Sequence, residues 1–193
     1  MSAVTLVWFR RDLRVADLPT LTLAAERGEV VCLWVADPMI LGRRHHASPL
    51  RLAFLRGGLL ALDRELRALG SSLVIRSGDP RSVVAQVATE VGADLVTWTG
   101  EVSPLGQARD RDVEAVLRSA GVAVRPQPPD LHVQPHELVG PSGRGYLVFT
   151  PFWRTWSQLP VAPHIPAPSS LTGPSVASDG IDVLPDGHAP LPA

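Results

Sequence analysis

Four groups of residues could do chemistry. Glu101 stands in a short loop, Glu101-Val102-Ser103, just after an apolar run. A carboxylate there can accept two N–H bonds. Arg51 opens a helix pattern, where the N-terminal dipole favours an anionic or polar group. Arg109 follows on a later helix. Arg10, Arg11, Asp12, Arg14 and Asp17 form a charged cluster after the first apolar run. That cluster suits an anion site, but it suits better an ion-pair network that fixes a loop and an interdomain contact.

Other chemistries are not written here. The loop after the first strand has no glycine-rich phosphate fingerprint, and no Walker loop follows. No Cys/His cluster has metal-ligand spacing. His45-His46 and Arg43-Arg44 read as solvated loop residues. The one cysteine, Cys32, lies in Val30-Val31-Cys32-Leu33-Trp34-Val35 and reads as a buried small apolar residue. No intrachain disulfide can form, which fits a reducing compartment.

The elements that must position these residues follow from periodicity. Five apolar, β-branched runs read as buried strands: Thr5–Phe9, Val30–Ala36, Ser72–Arg76, Asp94–Thr99 and Val122–Arg125. Helix patterns fill Leu18–Arg27, Pro49–Leu69, Pro80–Val91 and Leu105–Ala120. Ser48 and Asp79 are the expected N-caps of the second and third, each with proline at the first helical position. Leu52, Leu55, Leu59, Leu62, Leu66 and Leu69 form a stripe at three- and four-residue spacing. Trp8, Trp34 and Trp98 fall on strands and read as core or pocket wall.

Alternating strands and helices predict an α/β fold with a parallel sheet covered on both faces. Right-handed crossovers make it doubly wound and Rossmann-like, with strand order 3-2-1-4-5 and a switch point between strands 1 and 4. A ligand would bind beyond the carboxyl ends of the strands, among residues after Phe9, around Asp37 and after Thr99. Proline then breaks regular structure from Pro126 onward. The expected domain boundaries are 1–128 for the α/β domain and 129–159 for a packed interdomain segment. Residues 160–193 read as a proline-rich linker or disordered tail.

Bulk properties set limits. The 193 residues are 45% hydrophobic, which affords one domain with a sizeable core. The net charge of −1 argues against strong autonomous DNA binding, which needs a basic excess. No signal peptide and no bilayer-length apolar stretch are present, so a cytoplasmic monomer with no membrane contact is expected.

Specific motifs add a resemblance. Val7-Trp8-Phe9-Arg10-Arg11-Asp12-Leu13-Arg14 resembles the opening strand and loop of the DNA photolyase/cryptochrome family. Asp37-Pro38, Ser48-Pro49-Leu50-Arg51, Gly78-Asp79-Pro80 and Arg109-Asp110-Arg111-Asp112-Val113 match later blocks of that family. The segment Tyr146 to Trp156 is similar to its lead into the interdomain linker. The resemblance covers Val4 to about Trp156, in order, and is to the N-terminal α/β domain.

The resemblance implies an antenna chromophore, either 8-hydroxy-5-deazaflavin or methenyltetrahydrofolate. It implies Val35, Ala36, Asp37, Arg51, Glu101, Val102, Ser103, Leu105 and Arg109 as its contacts. Glu101-Val102 is like folate-type members. Acids at the positions of Glu101 and Ser103 mark deazaflavin-type members, and Pro104, Gly106 and the Arg51 region are closer to those. Both chromophores therefore stay open, as does a site that binds none. FAD and the damaged DNA would belong to a helical domain whose sequence is not in this chain, and the chain alone is expected to be non-catalytic. A cryptochrome-type photoreceptor domain and a stand-alone nucleotide-binding module of the same fold are the alternatives.

Overall fold

The computed structural model describes residues 3–41, 48–140 and 143–184. Five parallel strands form one sheet: β1 (Ala3–Phe9), β2 (Gly28–Ala36), β3 (Leu73–Ser77), β4 (Leu95–Thr97) and β5 (Ala123–Val124). Their order is β3-β2-β1-β4-β5, as the alternating pattern predicts. The helices are α1 (Pro19–Arg27), α2 (Pro38–Leu41), α3 (Pro49–Ala68), α4 (Pro80–Glu90), α5 (Pro104–Ser119) and α6 (Phe149–Trp156).

Strand side chains alternate between faces, so each strand feeds two cores. Val7 and Phe9 of β1, with Cys32 and Trp34 of β2, meet α1 and the α3 leucines. Leu6 and Trp8, with Leu33, point the other way and meet Val84 and Val87 of α4 and Val113 and Leu117 of α5. Burial on both faces explains why these strands read as continuous apolar runs. Of the leucine stripe, Leu52, Leu59, Leu62 and Leu66 are buried, while Leu55 and Leu69 pack at its margin. Cys32 is fully buried, and desolvation pushes its thiol pKa up to about 12, so it stays neutral and unreactive at ordinary pH.

The helices start where their caps place them. Ser48 Oγ accepts from the Arg51 N–H at 3.3 Å, and Asp79 Oδ1 from the Arg81 N–H at 2.9 Å. A third cap was not foreseen. Ser103 Oγ accepts from the Gly106 N–H at 3.1 Å and starts α5 in the same way. The loop carrying His45-His46 and Arg43-Arg44 lies outside the described residues.

The proline-rich C-terminal stretch does not hang free over residues 160–184. It forms an extended strap along the sheet. Leu171 N–H donates to Leu69 O at 2.6 Å, and Val30 N–H donates to Thr172 O at 2.7 Å. Asp179 N–H donates to Ile75 O, and Asp179 in turn accepts from the Ser77 N–H, both on the edge strand β3. Leu171 and Leu184 are buried in the α1/α3 core. Composition reads this stretch as a linker or disordered tail; over residues 160–184 it has no helix or strand apart from the short 3₁₀ turn Ile181–Val183, yet it is docked. Docking depends instead on where the main-chain donors fall against an open sheet edge.

Candidate functional site

Beyond the carboxyl ends of β1 and β2 lies a cleft of about 1030 Å³. Its far walls are the first turns of α3 and α5. Val35, Asp37, Arg51, Glu101, Ser103, Leu105 and Arg109 all border it. Ala36 does not: its side chain is packed into the α1/α3 core. Val102 does not either; it borders a smaller pocket of about 240 Å³ with Asp12, Thr99 and Gly100. That smaller pocket sits over the β1/β4 gap, the topological switch point. The larger space is displaced toward β2, bordered by Trp34 and Val35 at the end of that strand and by the first turn of α3.

One side of the cleft is apolar. Trp8, Phe9 and Trp34 close its floor, and Leu50, Phe54 and Leu105 stand at its mouth. Phe54 is 74% exposed and Leu105 67%, a heavy apolar load for surface positions. Sequence reasoning missed Phe54. The available signal was its place three residues from Arg51, on the same helix face and off the leucine stripe.

The other side is charged and organised around Trp8. The Arg10 guanidinium lies 4.9 Å from the Trp8 ring centre and that of Arg109 lies 5.3 Å from it. Trp8 in turn meets Trp98 edge-on at 5.6 Å. Arg10 is committed: it pairs with Asp110 and donates to the Thr99 carbonyl. Asp12 accepts from the Arg10 N–H at 3.1 Å and from the Thr99 hydroxyl at 2.6 Å. Arg14 pairs with Asp130 at 2.8 Å. The cluster after the first strand is therefore mostly an ion-pair network that pins β1's loop to β4 and α5.

Glu101 and Arg109 differ from that network. The Glu101 side chain is only 10% exposed, with Arg11 at 3.3 Å and Arg109 at 3.7 Å. It folds back over the first turn of α5, and only glycine at 106 permits this. A β-carbon at Gly106 would lie 2.6 Å from the Glu101 Cβ. Arg109 is four-fifths buried, yet its contacts to Glu101 (3.7 Å) and Asp110 (3.9 Å) are too long for hydrogen bonds. Its Nε is buried with no partner. Desolvation, then repulsion by Arg10, pulls the Arg109 pKa below the ordinary arginine value. A buried, charged donor left unsatisfied is costly, and Arg109 carries one at the border of the cleft.

A planar heteroaromatic group fits such a lining: aromatic and aliphatic walls on one side, a carboxylate and guanidinium donors on the other. The DNA photolyase family model matches residues 5–169. The chain belongs to the DNA photolyase family. It is 36% identical over 173 residues to a deoxyribodipyrimidine photo-lyase of a Synechococcus strain, covering 89% of this chain and 35% of that one. A class III photolyase from Agrobacterium tumefaciens superposes with a TM-score of 0.85 at 31% identity, over 95% of this chain and 38% of that one. An archaeal photolyase from Sulfolobus tokodaii, solved with two FAD molecules and described as implying a novel light-harvesting cofactor, gives 0.80 at 25% identity. It matches 97% of this chain and 42% of its own. The chain spans between 24% and 64% of the length of the curated relatives it matches. What it shares with the photolyases is their N-terminal α/β domain. Among the described residues, no helix is long and apolar enough to cross a membrane, and no group of three or more His, Cys, Asp or Glu could hold a metal ion.

Proposed function

We propose that this domain holds an antenna chromophore, 8-hydroxy-5-deazaflavin or methenyltetrahydrofolate, in the cleft between α3 and α5. It serves a light-driven DNA repair lyase whose FAD and damaged base belong to a separate helical domain. The observation that carries this reading is the pairing of Arg109, buried without a hydrogen bond, with an aromatic floor of Trp8, Phe9 and Trp34. An apolar slab needs a flat ring, and the stranded guanidinium needs an acceptor on it. When bound, either chromophore would supply absorption of near-ultraviolet to blue light. The residues of this chain would bind, orient and desolvate it.

The partner is an apolar-surfaced helical domain. Leu147, Phe149 and Trp153 stay exposed on and beside α6, in the segment that resembles the lead into the interdomain linker. By itself the chain splits no pyrimidine dimers.

Titration of the purified chain with each chromophore, followed by absorbance and fluorescence anisotropy, tests the reading. Saturable one-to-one binding that Glu101→Gln and Arg109→Gln weaken is expected. Binding of neither chromophore, with AMP or ATP bound instead, would replace it by a stand-alone nucleotide-binding module. Dimer splitting by the isolated chain with added reduced FAD would overturn the division of labour.

A further inference from the structure

The loop from Arg10 to Leu18, between β1 and α1, has two kinds of neighbour. Its first half is cleft wall: Arg10, Arg11 and Leu13 border the larger space. Leu13 also reaches α3, where a β-carbon at Gly58 would lie 3.1 Å from its Cδ1. Arg11 is the loosest of the three. Its side chain is 80% exposed, and it leans on Glu101 at 3.3 Å.

The second half of the loop is a clasp. Arg14 donates to Asp130 Oδ2 at 2.8 Å and to the Asp17 carbonyl at 2.8 Å. The Asp17 N–H donates to the Ile165 carbonyl at 2.7 Å, and its Oδ1 accepts from the Ile165 N–H at 3.4 Å. Asp17 has a φ of 52°, the only positive value at a described residue other than glycine. Aspartate tolerates that left-handed turn better than most residues do, and here it meets Ile165 with both main chain and side chain.

Asp130 and Ile165 are the two feet of one excursion of the chain, the stretch that carries α6. Within it, His132 packs edge-on against Trp156 at 4.9 Å, and the Tyr146 and Thr155 hydroxyls lie 2.9 Å apart. Among the described residues, no hydrogen bond or ion pair joins 131–164 to the sheet or to α1–α5. The arm is thus tied to itself and, in polar terms, to the domain at its feet. The pair at the first foot is exposed, Arg14 by a third and Asp130 by more than half. Ion pairs of that kind open and close at small cost.

We propose that the β1–α1 loop links the cleft to α6: a ligand that orders Arg11 and Leu13 closes the clasp at Arg14 and Asp17, and so steadies the arm that a partner meets. Linkage is reciprocal, so docking on α6 tightens the hold on the cleft's ligand by the same factor. Arg14 and Asp17 do not border the cleft and act through its loop, as positioning residues. For what fills the cleft, this rests on the antenna reading.

Hydrogen exchange of the whole chain, read by mass spectrometry, tests it. The probes are 8-hydroxy-5-deazaflavin and methenyltetrahydrofolate, with absorbance showing which is bound. No residue of α6 is buried, so its amides exchange through local opening and report the arm and not the overall stability. With chromophore bound, the amides of Phe149–Trp156 should exchange about twofold to fivefold more slowly, the range that exposed ion pairs can transmit. Asp17→Ala removes the acceptor and disfavours the left-handed turn, and should abolish the slowing. Asp17→Asn keeps both and should retain it. Arg14→Gln breaks the other foot and should abolish the slowing too, with thermal melting as the check on the fold of each variant. Unchanged α6 exchange with chromophore bound would overturn the inference and leave the antenna reading in place. Slowing that persists in both Asp17→Ala and Arg14→Gln would also overturn it, since the route would then bypass the clasp. Binding of neither chromophore would remove the antenna reading and the inference together.

Discussion

Residues 126–159 and 160–184 are both proline-rich, both almost without regular structure, and both follow the sheet in the chain. The second is laid along β3 and the start of β2 by main-chain hydrogen bonds, with Leu171 and Leu184 in the core. The first leaves Leu147 fully exposed and Phe149 and Trp153 more than half exposed. No residue of α6 is buried, and its aromatic partners, His132 and Tyr146, come from the loop before it. Apolar content does not explain the difference, since the segment with more aromatic side chains is the one left bare. What the strap has is an open sheet edge to pair with. The edge strand β3 offers unpaired N–H groups at Ile75 and Ser77, and Ser178 and Asp179 take them at 2.9 and 2.7 Å. The strap is thus part of the α/β domain's own stability, whereas the stretch before it leaves its large apolar side chains bare.

The largest effect expected from breaking the strap comes at Gly173. A β-carbon there would lie 2.2 Å from the Val30 carbonyl oxygen, inside the backbone of β2. Gly173→Ala should cost about 3 kcal/mol, because neither backbone can yield without losing the Val30–Thr172 bond. Urea denaturation followed by circular dichroism measures it. A change under 0.5 kcal/mol would mean that the strap lies on the domain without holding it.

Leu171→Ala comes next. The side chain is 3% exposed in the α1/α3 core, and truncation should cost about 2 to 4 kcal/mol. Hydrogen exchange sharpens this result. The Val30 and Asp179 amides should exchange faster in the variant, while amides between β1 and β4, remote from the strap, keep their relative protection. Uniform loss of protection would show that strap and sheet open as one unit.

Asp179→Ala removes the acceptor of the Ser77 N–H on the open edge of β3. Because water can replace that acceptor at an exposed site, only about 0.5 to 1.5 kcal/mol should be lost. The same variant uncovers a strand edge, so slow association at high concentration is expected by light scattering.

How much of this was legible follows from what each feature depends on. Sheet order, both cores and two helix caps rest on local periodicity and cap chemistry, which short windows of sequence carry. The cleft residues were legible through order and motif. Ala36 and Val102 do not border the larger cleft, since motif spacing places a residue near a site without saying which way its side chain faces. Ser103 was counted only as a contact, although its hydroxyl caps α5; a serine before proline carries that signal, as Ser48 did for α3. Gly106 and the stranded Arg109 depend on contacts across the fold and leave no local mark. The strap was illegible for the same reason, since its partners lie about a hundred residues away in sequence.

The smallest stability effect is expected where the chain is most apolar on its surface. Trp153 is 51% exposed on a helix with no buried residue. Trp153→Ser should therefore change the urea midpoint by less than about 0.5 kcal/mol, the range of ordinary surface substitutions. The same variant should lose binding to a separately produced helical photolyase domain, because a large aromatic at the centre of an interface carries much of its energy. A loss above 1 kcal/mol in the isolated chain would show that α6 already has its partner within this domain. The two proline-rich stretches would then differ in degree and not in purpose.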